Sequence, residues 1–315
     1  MSGVGRSALR GPSWRRVRRG FYVPAGAGLA VGERRLTPTQ RIVDLTPLLT
    51  ERTLLGTWAA AFVLGVDWLD GLDPHSMAEL PIDVIAGDRR RRQRHSPRYQ
   101  FTDVVDEDVV VRDGLRVTGQ CRTAFDGARW ADSLEDAVVF LDAMKHFGRL
   151  DLTDFTAYVD AHQGWTGVNQ AAKAAELARK DVKSTWETRL RLCWLLEAGL
   201  PEPLINVPIF DESGHFLGMG DLFDPESGLI AEFDGEQHRD AEHHRLDNIR
   251  EEKLESANLV VVRCDKTDVR HNRRQLVSRL HSGYARGNRR DRNQDRWTLS
   301  QPDWWLRRQK QLLRV

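Results

Sequence analysis

A chain of 315 residues has room for two domains, and 40% hydrophobic with 30% charged residues describes a soluble globular protein. No apolar run approaches the ~18 residues of a membrane span, and the basic start, MSGVGRSALRGPSWRRVRRG, is followed by no apolar stretch of a secretory signal. Cys121, Cys193 and Cys264 are odd in number and widely spaced, which excludes a disulfide frame or a zinc-finger site and points to reduced cytoplasmic thiols. The net charge of +1 says little, because arginines cluster at 15–19, 89–94 and 286–292 with acidic stretches such as 103–108 between them. Such basic patches suit a nucleic-acid surface or, equally, solvated loops.

Taken in order, residues 1–12 read as disordered. Residues 14–17 and 20–24 are predicted as two short strands joined by a basic turn. Arg15, Arg16, Arg18 and Arg19 there are candidates for gripping phosphates, or decorate an ordinary hairpin. Residues 38–49 carry an amphipathic helical pattern, and 54–64 an Ala-rich helix ending at Gly65. A strand is expected at 81–86, followed by the arginine run and residues 99–105. Residues 109–111 and 115–117 flank the turn Arg112-Asp113-Gly114 as a hairpin. Helices follow at 123–130, 133–145, 152–162 and 168–180, where Asp126 is expected to pair with Arg122.

The order WRRVRRGFYVP, WAAAFVLG, DVIAGDRRRR, VRDGLRVTGQCRTAFDGAR over residues 13–180 resembles the AbiEi-type antitoxin proteins. The resemblance implies a transcriptional regulator and a toxin or other protein partner. Winged helices precede the matching hairpin in that family, whereas only residues 1–12 do so here, so a complete winged helix is lacking.

Residues 221–238 read as a strand loaded with acids. Leu229, Ile230, Ala231 and Phe233 form a short apolar run broken by Glu232 and Asp234, which alternation points the same way. A turn at 225–228 brings Asp221 back beside Glu232. Buried carboxylates are costly unless paired or metal-bound, and converging acids make a hard oxygen site suited to Mg²⁺ or Mn²⁺. The pattern around them is a helix opened by Ser184-Thr-Trp-Glu187, a hairpin over 206–210 and 215–223, a strand at 229–234, a helix at 240–257, a strand at 259–263 and a helix at 272–284.

That order, with Glu187, Asp221, Glu232, Asp234, Gly235 and His238 forming E…D…ExDGxxH, resembles the PD-(D/E)XK restriction-endonuclease-like nucleases, in the branch related to very-short-patch-repair endonucleases. Arg245, Asp247 and Arg250 match that branch's helical D..R pattern. Asp234 stands where the namesake motif has its lysine, leaving His238 or Lys253 to supply positive charge.

The resemblance implies an αβββαβα domain, a mixed sheet flanked by helices, over 184–287. Ahead of it stand an α+β region at 1–120 and a helical connector at 121–183, and behind it a basic Trp-rich tail at 288–315. It further implies a Mg²⁺-dependent (or Mn²⁺-dependent) DNA endonuclease in defence, repair or mobile-element biology, with DNA as partner and a homodimer as one form. The rival is a non-catalytic DNA-binding regulator or antitoxin-like protein keeping the fold.

Metal ligands would be Asp221, Glu232 and Asp234, with Asp234 either joining them or rising in pKa. His238 would act as general acid or base, or is a surface histidine. Glu187 would reach the metal through water or simply cap its helix. Gln237 would orient a water or nucleic acid, or cap a helix, while Arg245 and Arg250 would contact nucleic acid. Trp297, Trp304 and Trp305 would stack on bases or dock the tail on the body.

Overall fold

A computed structural model describes residues 8–29, 35–86, 97–235 and 241–312, except the side chains of 241–248 and 312. The chain divides into two compact units, Met1–Ala178 and Arg179–Val315. The predicted helices at 123–162 and all but the last two residues of the one at 168–180 fall in the first unit, and the tail falls in the second. Among the described residues no helix is long and apolar enough to cross a membrane. All three cysteines are free.

In the first unit β1 (Trp14–Arg18) and β2 (Phe21–Pro24) pair as the expected antiparallel hairpin. Residues 8–12 are not disordered: Ala8–Arg10 makes a helical turn, and Gly11 accepts from the Trp14 N–H at 3.2 Å. The predicted 38–49 helix is shorter, α1 (Pro38–Val43), followed by a separate tight turn at Thr46–Leu48. Pro47 explains the break, because it has no N–H to donate to the Val43 carbonyl four residues back.

The predicted 54–64 helix splits into β3 (Thr53–Leu55) and α2 (Thr57–Val63). Sheet pairing overrides local propensity here: Leu54 and Leu55 pair with Ile85 and Val84 of β4 (Asp83–Ala86), and Gly56 separates the elements. With β5 (Arg98–Gln100), β6 (Val109–Arg112) and β7 (Leu115–Thr118) these form a five-stranded mixed sheet, ordered β5-β4-β3-β7-β6.

Four helices follow: α3 (Gln120–Arg129), α4 (Leu134–His146), α5 (Leu152–Ala161) and α6 (Val168–Leu177). On α3, Asp126 pairs with Arg122 at 2.7 Å as expected, and with Arg129 at 2.8 Å.

The second unit begins with α7 (Thr185–Leu192), capped by Ser184 and extended by a π-helical turn, Cys193–Glu197. Next come β8 (Leu204–Phe210), β9 (Phe216–Asp224) and β10 (Leu229–Phe233). The chain then crosses through α8 (Ala241–Ser256) to β11 (Val260–Cys264). The sheet order is β11-β10-β9-β8, antiparallel except that β10 and β11 run parallel.

Alternation along the strands divides the core. Leu222, Leu229, Ala231, Val260 and Val262 pack with Leu190 and Trp194 on one face and with Leu276 and Leu280 of α10 (Arg273–Asn288). Phe223, Ile230 and Val261 pack with Leu254 of α8 on the other. Close approach of α10 depends on Gly287, where a Cβ would stand 2.1 Å from the Ser227 carbonyl oxygen.

The predicted order is present with one addition, α9 (Lys266–His271), opened by a capping box between Asp265 and Asp268. Six residues are too few to carry a helical period. A tail helix, α11 (Asp303–Leu312), sets Trp305 against Phe216 at 5.0 Å and Phe210 at 5.4 Å, while Trp297 packs on Phe223. The tail tryptophans are therefore engaged by the sheet of their own unit.

Candidate active site

The turn between β9 and β10 sets the site. Asp224 pairs with Leu229, Phe223 with Ile230 and Leu222 with Ala231, so the next step brings Asp221 opposite Glu232. The sequence-predicted return of Asp221 is present, and its Oδ2 accepts from the Phe233 N–H at 2.8 Å. Asp221, Glu232, Phe233 and Asp234 line one cleft of about 180 Å³ with Arg250 of α8 and Arg263 of β11.

The two central acids differ in their partners. Glu232 is buried and pairs with Arg250, and its other oxygen lies 3.7 Å from Arg263 Nε. Arg250 Nη2 also donates to the Met219 carbonyl at 2.9 Å, and Arg263 faces Glu251 at 3.4 Å. Burial still pushes the Glu232 carboxyl above its ordinary value, against the pull of both guanidiniums.

Among the described residues Asp221 meets one backbone donor and neighbours of its own sign. Burial pushes its pKa up to about 7; the Phe233 N–H opposes this, Glu187 and Glu232 add to it, and Arg250 reduces it.

Glu187 serves its helix start. Its N–H donates to Ser184 Oγ at 3.1 Å, while its Oε2 accepts from the Lys183 N–H at 2.8 Å and from Asn206 Nδ2 at 2.7 Å. This differs from an ordinary capping box in that the carboxylate reaches Lys183 in place of the cap residue itself. Asn206 adopts φ 51° and also donates to the Asp181 carbonyl, tying the loop before α7 to β8. Beside Glu187, Trp186 stacks on Phe233 with ring centroids 5.7 Å apart.

Lys253 is exposed on α8, so the positive charges described in the cleft are guanidiniums. Arg263 is the residue sequence reasoning missed. Its signal was one arginine in an otherwise valine-rich strand, and the parallel register sets it directly beside Glu232.

Gln237 and His238, and the side chains of Arg245 and Asp247, lie outside the described residues, as does the arginine run at 89–94. In the first hairpin Arg15 is engaged by Asp44 at 2.6 Å, Arg16 and Arg19 are exposed and Arg18 is half-buried.

The donors are hard oxygens, and Asp221 is a half-buried carboxylate whose hydrogen-bond donor among the described residues is one backbone N–H, an arrangement that fits a divalent cation. Among the described residues no three His, Cys, Asp or Glu side chains form a metal-holding group by themselves. A cation at Asp221 and Glu232 would therefore keep water in its shell, as Mg²⁺ ordinarily does. Compared with models of protein families, with curated proteins and with solved structures, the chain matches none.

Proposed function

We propose that the chain is a metal-dependent endonuclease hydrolysing phosphodiester bonds of DNA, with a restriction-endonuclease-like second unit. The reading is supported by a helix, three antiparallel strands, a crossover helix and a parallel fourth strand, with acids at adjacent positions of the second and third strands. The observation that carries it is Asp221: a half-buried carboxyl beside Glu232, in a cleft whose other charged lining includes two guanidiniums.

Asp221 and Glu232 would hold Mg²⁺ or Mn²⁺, with Asp234 in the same cleft. Such an ion, when bound, polarises a phosphoryl group and lowers the pKa of the attacking water. The Phe233 N–H fixes the orientation of the Asp221 carboxylate. Arg250 and Arg263 face the same space and suit the charge of a phosphate. His238 as acid–base residue rests on the resemblance to very-short-patch-repair-like nucleases.

Supercoiled plasmid incubated with Mg²⁺ tests the reading. Asp221→Ala and Glu232→Ala are expected to lower cleavage by about 10²-fold or more, with circular dichroism unchanged. Undiminished cleavage by both variants would remove these acids from the reaction.

One observation favours a second reading. Glu232 is already paired with guanidiniums, as in a site kept for binding alone. A DNA-binding regulator of that kind would retain plasmid affinity and cleave nothing.

A further inference from the structure

Arg250 lies where a cation would bind. Its Nη2 bridges the Met219 carbonyl of β9 and the Glu232 carboxylate of β10, and its charge also reaches Asp221. The side chain follows the sheet closely: a Cβ on Gly218 would come within 3.1 Å of Arg250 Nε. That Nε is buried with no hydrogen-bond partner among the described residues, whereas Nη2 makes two hydrogen bonds. Arg263, in contrast, shares Glu232 at a longer 3.7 Å and has Glu251 as a second acid.

A guanidinium and a divalent ion cannot both take the inner side of one carboxylate without repulsion. Among the described residues Arg250 then keeps the Met219 carbonyl as its hydrogen-bond partner, whereas an incoming phosphate offers it a bidentate anionic one.

We infer that Arg250 is a displaceable internal counter-ion of Glu232: it closes the acidic cleft when no metal is present, leaves Glu232 as the divalent ion enters, and turns to the scissile phosphate of the bound nucleic acid. This rests on the metal-dependent reading above and adds an order of events to it. One residue then opposes metal binding and favours nucleic-acid binding, so its removal shifts the two affinities in opposite directions. A merely structural arginine would weaken both or neither.

The test uses the full chain and two readouts other than cleavage. Mn²⁺ affinity without DNA is measured by calorimetry for wild type, Arg250→Gln and Asp221→Ala. Affinity for a mixed-sequence DNA duplex is measured in Ca²⁺. Arg250→Gln is expected to bind Mn²⁺ about tenfold more tightly and the duplex about tenfold more weakly, each about 1.4 kcal/mol.

Unchanged or weaker Mn²⁺ binding by Arg250→Gln overturns the displacement, while loss of binding in Asp221→Ala alone keeps the metal site standing. An unaltered duplex affinity overturns the phosphate half. No Mn²⁺ binding by either wild type or Arg250→Gln overturns both the inference and the reading beneath it.

Should Arg250→Gln fail to fold, the wild type decides. In arginine side-chain ¹⁵N spectra with added Mg²⁺, the Arg250 signal, assigned by its loss in Arg250→Lys, is expected to move. A signal that stays fixed while Mg²⁺ binds contradicts the displacement.

Discussion

Two acids, one in each unit, have opposite surroundings. Asp126 on α3 is fully buried, with one oxygen 2.7 Å from Arg122 Nε and the other 2.8 Å from Arg129 Nε. Arg122 continues to Asp108 at 3.0 Å, and Asp108 accepts from the Tyr158 hydroxyl. Trp165 lies within 5.1 Å of both guanidiniums. Every charge in that network has an opposite charge beside it.

Among the described residues Asp221 has one backbone N–H and two nearby acids, and Arg250, the cation that reaches it, is bound to Glu232. Burial of a carboxylate is thus no sign of a site; an uncompensated one is.

The largest expected effect lies in the closed network. Asp126→Ala leaves Arg122 and Arg129 buried without their shared acid, and about 3–5 kcal/mol of stability should be lost. Urea denaturation measures this. A loss under about 1 kcal/mol would mean that the network is not what holds the helices.

Next comes the opposite response at Asp221. Its folded pKa, about 7, is raised above the ordinary 3.8. The stability that its protonated form contributes is present below pH 3.8 and is lost as pH rises through about 7. In EDTA, Asp221→Asn should therefore match wild type near pH 4 and be more stable at pH 8, by an order of 1–3 kcal/mol. Asparagine still accepts from the Phe233 N–H, so the comparison isolates the charge. A pH-independent difference would show that the carboxylate is compensated.

A smaller effect is expected at Asn206→Ala, which removes the donor shared by Glu187 and the Asp181 carbonyl. A loss of about 1–2 kcal/mol in thermal unfolding is expected, with Mn²⁺ affinity changed less than by Asp221→Ala. If metal binding collapses instead, Glu187 has a part in the site beyond its helix cap.

Smallest in stability is Arg16→Ala with Arg19→Ala, both exposed, expected within about 0.5 kcal/mol of wild type. If these arginines grip phosphates, DNA affinity falls and its salt dependence drops by roughly one ion per residue. An unchanged salt slope makes the hairpin ordinary.

The same contrast explains what the sequence disclosed. The Arg122–Asp126 pair was legible because helical residues four apart face each other, and Asp221 with Glu232 because a short turn and strand alternation fix their meeting. Asp108 and Arg263 were not, since their partners come from separate elements: Asp108 meets Arg122 from 14 residues away, and Arg263 meets Glu232 only through the parallel pairing of β10 with β11. The first unit's sheet was partly hidden because β3 and β5 have three residues each, too few to show alternation. Gly56 beside an Ala-rich run disguised β3 as the start of α2.

Mn²⁺ titration by calorimetry, on wild type and Asp221→Ala side by side, tests the central claim most directly. The account expects saturable binding to wild type that disappears in the variant while its circular dichroism stays the same. Equal binding to both proteins, or none to wild type even with DNA present, would contradict it and leave the acids as structure.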